Sequence, residues 1–423
     1  MRILNKNLNS KKKVTVIGGG IIGLATACRL AQDRFDVTLI DANKSKNRAS
    51  IATAGIIGGS SVIPWANDHL WKKIPSMVLS KEGPLKVKLP LPKDFMSFIF
   101  KSHKAGSNFE ISKSSKGLAE LGLKGWVEWQ SLLKPHRKLR RFFTQNGCLL
   151  YYSDNDEYLN EIENNHLRRK RGMKIRNLKT KDLFLKIPQT CDKKPSGTLI
   201  LKAGHLSDPL KFQDSLTKEL KKKGVKKIFA RANSFELIEN KIKNVITNKG
   251  KINCDYVIIC SGTGGKDLAK ELGSKVSMIP AWGTSIILKK PEIKIKLPIL
   301  IEKKGFAIVP NSNDLRVAGL VQVGGKTNNR NMKFENILLN QVKKIFGSFK
   351  YKGIASATGA RPLTSDSLPV VGRSPYFKNA FFNFGHGHWG MTHAPVCANI
   401  ISNLIRKRKN KINIKPYDIS RFN

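Results

Sequence analysis

Apolar positions along the chain fall into short blocks, and the first block changes period part-way through. Val14-Thr15-Val16-Ile17 is a β-branched run that meets Gly18-Gly19-Gly20 and then Ile21-Ile22-Gly23-Leu24-Ala25-Thr26-Ala27-Cys28. That order predicts a strand, a tight turn and a helix. A second strand-like stretch follows at Asp36-Val37-Thr38-Leu39-Ile40 and ends in Asp41. From residue 65 to about 143 the pattern reads as irregular helix, broken by prolines at 75, 84, 90 and 92, with Trp65, Trp71, Trp126 and Trp129 mostly in a core. Residues 155–187 read as helical and highly charged, with Arg168-Arg169-Lys170-Arg171 on a solvated face. Asp208 and Pro209 start a capped helix that Gly224 ends.

Beyond that helix, residues 225–230, 234–239, 241–247 and 256–260 alternate as strands. Residues 283–288, 306–310 and 315–321, with the turn Asn311-Ser312-Asn313-Asp314, predict a second and mainly antiparallel sheet. A helix over 334–346, a strand over 380–384 and a last helix opened by residues 385–392 complete the reading. The fold class expected is α/β: a Rossmann-like domain around the first strands, with a second, α+β domain built on the antiparallel sheet.

The first turn carries the most specific chemistry. Gly18, Gly20 and Gly23 have the G-x-G-x-x-G spacing, in which the first glycine permits the turn, the second admits a pyrophosphate and the third lets helix pack on strand. The open N–H groups of the helix then face the phosphates. Asp41, 23 residues after Gly18, stands where a carboxylate can accept hydrogen bonds from ribose hydroxyls. Lys11-Lys12-Lys13 ahead of an apolar run also resembles a secretory signal, but three glycines interrupt any continuous helical core, and the run is too short to span a membrane.

Two later stretches are rich in small residues. Asn47-Arg48-Ala49-Ser50-Ile51-Ala52-Thr53-Ala54-Gly55-Ile56-Ile57-Gly58-Gly59-Ser60-Ser61 suits close passage of backbone against a flat ligand, and equally suits a flexible loop. Ser261-Gly262-Thr263-Gly264-Gly265 follows a buried strand and either meets a cofactor or is a plain strand-to-helix turn.

With 423 residues the chain supports two or three domains. Lys and Arg number 77 against 30 Asp and Glu, so nucleic acid or an anionic membrane must be considered as partner. The cations are spread along the whole chain, including Lys221-Lys222-Lys223 and Arg406-Lys407-Arg408-Lys409, which suits solvated faces better than one nucleic-acid module. Six cysteines form no metal-binding spacing, which fits a reducing compartment. A cytoplasmic protein is expected, with at most peripheral contact at the inner face of the cell membrane.

Four elements together resemble the D-amino-acid oxidase superfamily of flavoproteins, and most closely its bacterial D-amino-acid dehydrogenases. They are the glycine turn; Ala52-Thr53-Ala54-Gly55 followed by Pro64-Trp65-Ala66; the run from Gly359-Ala360-Arg361-Pro362 through Asp366 and Pro369 to Gly372; and Gly385-His386-Gly387-His388-Trp389-Gly390-Met391-Thr392. The resemblance implies FAD as cofactor, and a discontinuous cofactor domain made of residues 14–80, 196–275 and 351–410. The substrate domain would be 81–195 and 276–350, with tails at 1–13 and 411–423. Motif and resemblance give the expected cofactor contacts as Val14, Ile17, Gly18, Gly19, Gly20, Ile21, Ile22, Gly23, Asp41 and Ala42; Ala52, Thr53, Ala54 and Gly55; Ser261 and Gly262; and Gly385, Gly387, His388, Gly390, Met391 and Thr392.

The resemblance further implies that Arg361 holds a substrate carboxylate and that hydride passes from Cα to flavin N5, giving an imino acid that water hydrolyses to a 2-oxo acid and ammonia. Relatives with covalent flavin use a cysteine near the arginine position. None lies between Cys260 and Cys397, so non-covalent FAD is expected. Asp41 replaces the more usual glutamate. Tyr151 and Tyr152 are substrate-binding candidates by residue type only, and His386 and His388 are either loop-shaping residues or a base. Three functions compete: a D-amino-acid dehydrogenase using a quinone-type acceptor, a glycine or sarcosine oxidase, and a flavoprotein acting on modified tRNA, though spread charge makes nucleic acid the weaker partner.

Overall fold

Strands whose every residue is apolar need cover on both faces, and the first run finds it in the interior of a sheet. The computed structural model describes residues 11–42, 47–58, 62–325 and 331–423. Residues up to 10 of the basic tail, Gly59, Ser60 and Ser61, and the side chain of Trp71 lie outside the described residues.

The first sheet has six strands in the order Lys226–Ile228, Asp36–Ile40, Lys13–Ile17, Tyr256–Ile259, Ala380–Phe384 and Val370–Arg373. The first five are mutually parallel and the last runs antiparallel. Alternate residues feed two cores. Val14, Val16, Leu39, Ile258 and Phe381 pack against the helices Ile21–Gln32 and Gly390–Ile405. Ile17, Ile40, Val257, Ile259 and Phe382 pack under the three-stranded meander Ala232–Ile238, Lys241–Thr247 and Gly250–Asn253. The capped helix forms as the sequence predicts: it spans Pro209–Lys222, and the Asp208 side chain accepts from the Lys211 N–H.

The second sheet runs Gly353–Thr364, Met278–Lys289, Asp314–Gly324, Phe306–Asn311, Ile299–Ile301, Cys148–Tyr152, Ser196–Ile200 and Ile175–Leu178, with Leu85–Lys88 added alongside Asp314–Gly324. Its pairings are antiparallel except Ile299–Ile301 with Cys148–Tyr152 and Leu85–Lys88 with Asp314–Gly324. The helix Met332–Phe346 covers one face through Leu338, Val342 and Ile345. The helix Phe95–Ala105 covers part of the other, setting Phe98 against Ala281, Val323 and Leu363.

Three features depart from the sequence reading. Residues 155–187 are not one helical stretch but the helices Asn155–Leu159, Ile162–Lys170 and Thr180–Lys186 with the strand Ile175–Leu178 among them. An edge strand with polar residues lacks the alternation that would mark it. Arg168 is not on a solvated face: it is fully buried, with Nη1 3.1 Å from Glu161 and Nη2 2.6 Å from Glu302, a partner 134 residues away. Ser196–Ile200 and Gly353–Thr364 hydrogen-bond within the second sheet, although the boundaries read from sequence put both with the first. Periodicity marks a strand but not its partners.

Candidate active site

The two sheets meet at a cavity of about 720 Å³. Its floor on the first sheet is the glycine turn, and the three motif glycines do different work. Gly18 has φ +113°, and a Cβ there would lie 2.5 Å from the Cys260 carbonyl oxygen. On Gly23 a Cβ would lie 1.8 Å from the Gly18 oxygen, which is the close approach of helix to strand. Both positions are closed by the protein's own backbone. Gly20 differs: a Cβ there meets only Ser50 Oγ, at 3.7 Å, and otherwise points into open space at the start of the helix Ile21–Gln32.

Of the expected cofactor contacts, Ile17, Gly18, Gly19, Gly20, Ile21, Ile22, Asp41, Ala42, Thr53, Ser261, Gly262, Gly385, Gly387, His388, Gly390 and Met391 line the cavity, as does Arg361. Val14, Gly23, Ala52, Ala54, Gly55 and Thr392 do not. Val14 is sheet core, and Ala52 is buried beneath the loop. Gly55, with φ +78°, abuts the Leu206 carbonyl, and Thr392 is buried with Oγ1 3.2 Å from the Gly58 N–H. These residues fix the walls rather than form them.

Asp41 sits at the cavity edge with its charge compensated. Its Oδ2 lies 3.0 Å from Arg48 Nη1 and 3.7 Å from Lys227 Nζ, and the same Arg48 Nη1 donates to the Gly19 carbonyl at 3.0 Å. The arginine thereby ties the end of the second strand to the glycine turn and to the small-residue loop. Sequence reasoning missed Arg48, Lys227 and the cavity residues Arg231 and Trp282. Nothing in one sequence pairs an acid with a cation from another segment.

Arg361 lines the cavity from the second sheet. It lies on Gly353–Thr364 opposite Ala281, and its guanidinium lies across bare backbone: a Cβ on Gly283 would come within 2.1 Å of Nη1. Its one hydrogen bond to the described residues runs from Nη1 to the Leu320 carbonyl at 2.9 Å, and none of them offers it a carboxylate. Asp366, the nearest acid in sequence, is taken by Arg421, whose Nε is 2.6 Å from Oδ2. Burial lowers the Arg361 pKa, because a charged guanidinium is costly away from water.

The turn Gly385–Gly390 also borders the cavity. Gly385 and Gly387 have positive φ, and the Gly387 N–H bonds the Pro362 carbonyl at 3.0 Å, which fixes the turn against the strand that carries Arg361. His388 is exposed into the cavity, where the enclosing walls and then the Arg361 cation lower its pKa. His386 is buried, pairs in a bridge with Leu363 and accepts from the Trp389 N–H, the contacts of a loop-shaping residue. Tyr151 and Tyr152 do not line the cavity: both are buried, and the Tyr151 hydroxyl bonds Asp192 and Thr190.

A parallel sheet with a phosphate-type glycine turn, sharing a cavity with an antiparallel sheet that presents an unpaired arginine, is the architecture of a dinucleotide-dependent oxidoreductase. The chain belongs to the DAO family of FAD-dependent oxidoreductases, whose model matches residues 13–404. It is 24% identical over 418 residues to a D-amino-acid oxidase of Bradyrhizobium diazoefficiens, covering 97% of this chain and 99% of that protein. A D-amino acid dehydrogenase of Helicobacter pylori is 27% identical over 413 residues, covering 95% and 97%. Among solved structures, glycine oxidase from Geobacillus kaustophilus superposes with a TM-score of 0.72 at 18% identity, covering 97% of this chain and 99% of its own.

The residues present fit FAD. Gly20 leaves a space that a side chain would fill, Gly262 has φ +57° with nothing within 4 Å of a Cβ, and Ser261 Oγ is buried with no partner among the described residues.

Proposed function

We propose that the chain is a D-amino-acid dehydrogenase, converting a D-amino acid to a 2-oxo acid and ammonia and passing electrons to a quinone-type acceptor. The observation that carries this reading is Arg361, a half-buried cation with no acidic partner among the described residues, facing the cavity beside Gly283. An α-carboxylate satisfies it: a planar guanidinium donates two parallel hydrogen bonds to the two carboxylate oxygens, fixing position and orientation together. The names of the curated relatives, D-amino acid dehydrogenase and D-amino-acid oxidase, support the choice of substrate stereochemistry.

In this reading Gly18, Gly19 and Gly20, with the N–H groups that open the helix Ile21–Gln32, hold the pyrophosphate, and Asp41 holds the ribose. Ser261, Gly262 and the turn Gly385–Met391 line the remainder of the cofactor site. Bound FAD supplies the acceptor for the hydride that leaves Cα. Arg361 contributes by orientation, holding Cα in one place so that a bimolecular encounter becomes an intramolecular step. His388, with its pKa lowered by the cavity walls and the Arg361 cation, is a weaker base than an ordinary histidine, and the reading assigns it no proton transfer. Cys260 and Cys397 are buried with thiols raised by burial, which favours non-covalent cofactor.

Anaerobic mixing of the purified yellow protein with D- and L-amino acids and N-methyl amines tests the reading through flavin absorbance. Bleaching by D-amino acids alone is expected, with fast reoxidation by a quinone analogue and slow reoxidation by oxygen. Rapid peroxide formation from glycine or sarcosine would replace the reading with an amine oxidase.

A further inference from the structure

We propose that the outer face of the helix Phe95–Ala105, with the start of the next helix, docks the protein onto an anionic lipid bilayer. A helix apolar on two sides is ordinarily buried on both. Here Phe98 faces inward at 2% exposure and packs with Ala281 and Leu363, whereas Met96 and Phe100, one turn apart on the opposite face, are 74% and 75% exposed. Phe109, in the first turn of the helix Asn108–Gly122, is 76% exposed, and Leu79 and Leu89 on neighbouring segments reach 83% each. Met96 and Phe100, side by side on one exposed helix face, are the centre of an interaction surface.

Charge selects the partner. Residues 79–116 carry eight lysines (81, 86, 88, 93, 101, 104, 113 and 116) against three acids, Glu82, Asp94 and Glu110. Glu82 and Asp94 are neutralised by Lys344 and Lys266 from outside the segment, and Glu110 by Lys113. Lys93, Lys101 and Lys104 flank Met96 and Phe100 and are exposed with them. Aromatic and Met side chains ringed by lysines suit a headgroup layer, where the rings enter the acyl boundary and the ammonium groups meet phosphates. No described helix is long and apolar enough to cross a membrane, so the contact is one of surface.

The position also serves the chemistry. Phe98, on the inner side of this helix, touches Ala281, which pairs with Arg361 across the sheet. The docked face therefore stands about one helix diameter, ~10 Å, from the strand positions beside the substrate site. A lipid-soluble acceptor would meet the enzyme on that side. That last link rests on the acceptor reading above, whereas docking itself does not.

Flotation of the holoenzyme with phosphatidylglycerol–phosphatidylethanolamine vesicles, against phosphatidylcholine vesicles, tests the proposal. Wild type should float with the anionic vesicles and keep part of its binding at salt that screens charge. Met96→Ser/Phe100→Ser/Phe109→Ser should bind roughly tenfold or more weakly, with flavin content and turnover of a water-soluble acceptor dye unchanged. If that variant is poorly folded, Lys93→Glu/Lys101→Glu/Lys104→Glu should give the same loss. Equal vesicle binding by wild type and a folded variant would overturn the proposal. So would a wild-type dimer that the triple variant converts to monomer, since the apolar face would then be a self-interface. Loss of amino-acid turnover in wild type would reject the enzymatic reading and leave the vesicle result standing.

Discussion

Two parts of the cavity wall solve opposite electrostatic problems. Along the glycine turn the Asp41 charge is compensated by Arg48 and Lys227, and the wall is backbone: Gly18, Gly19 and Gly20 with the open start of a helix. On the second sheet Arg361 has a single carbonyl contact and no acid, and burial works against its charge. A charge left uncompensated in a desolvated place costs stability unless a ligand completes it. Under the proposed function the first part holds a ligand that stays and meets fixed dipoles, and the second holds one that brings a carboxylate, is converted and leaves.

The comparison breaks most completely at Gly20. Among the three motif glycines it alone has room for a side chain, so Gly20→Val should fold while filling the space between turn and loop. Purified Gly20→Val should be colourless, with near wild-type circular dichroism and thermal midpoint. Full FAD content in that protein would show that the turn does not hold the pyrophosphate. Replacing Gly18 or Gly23 is no substitute, because each Cβ would strike backbone and misfolding would mask the result.

Arg361→Lys acts on the second part and leaves the first intact. Lysine keeps the charge but loses the two-pronged geometry. Transition-state stabilisation should fall by about 2 kcal/mol, the scale of a charge-assisted hydrogen bond at a desolvated site. FAD content should not change. Anaerobic flavin reduction by a D-amino acid should slow accordingly, whereas a decarboxylated amine should react alike with both proteins. Equal rates with the amino acid would remove Arg361 from substrate binding.

Sequence made the backbone-built part more legible than the side-chain-built assembly around it. The glycine turn, its strand and its helix are local, so spacing within ten residues predicts them, and the structure has Lys13–Ile17 and Ile21–Gln32 where periodicity put them. Arg361 was found through a motif, but its lack of an acidic partner was not readable: Asp366, five residues on, looks available until Arg421 takes it. Arg48 with Asp41, and Arg168 with Glu302, escaped for the same reason, since an ion pair between distant segments has no period. Tyr151 and Tyr152 show the converse failure: chemistry suggested by residue type, in a strand whose burial only the second sheet reveals.

The smallest expected effect sharpens the idea that the substrate part holds one working charge. His388 is exposed into the cavity, where the enclosing walls and then the Arg361 cation lower its pKa below the ordinary histidine value. Protonating it would set a second cation against Arg361. Its titration is therefore expected on the acid side of the ordinary histidine range. His388→Gln keeps a neutral polar group of similar reach. Its kcat/KM profile against pH should keep the shape of the wild-type profile, displaced by well under the ~100-fold that removal of a proton-transfer group costs. The comparison requires both proteins, a D-amino acid substrate and a quinone analogue as acceptor across the neutral range. A wild-type limb near pH 6 to 7 that disappears in His388→Gln, together with a loss of about 100-fold or more, would make the histidine the base and give the substrate part a second titrating group.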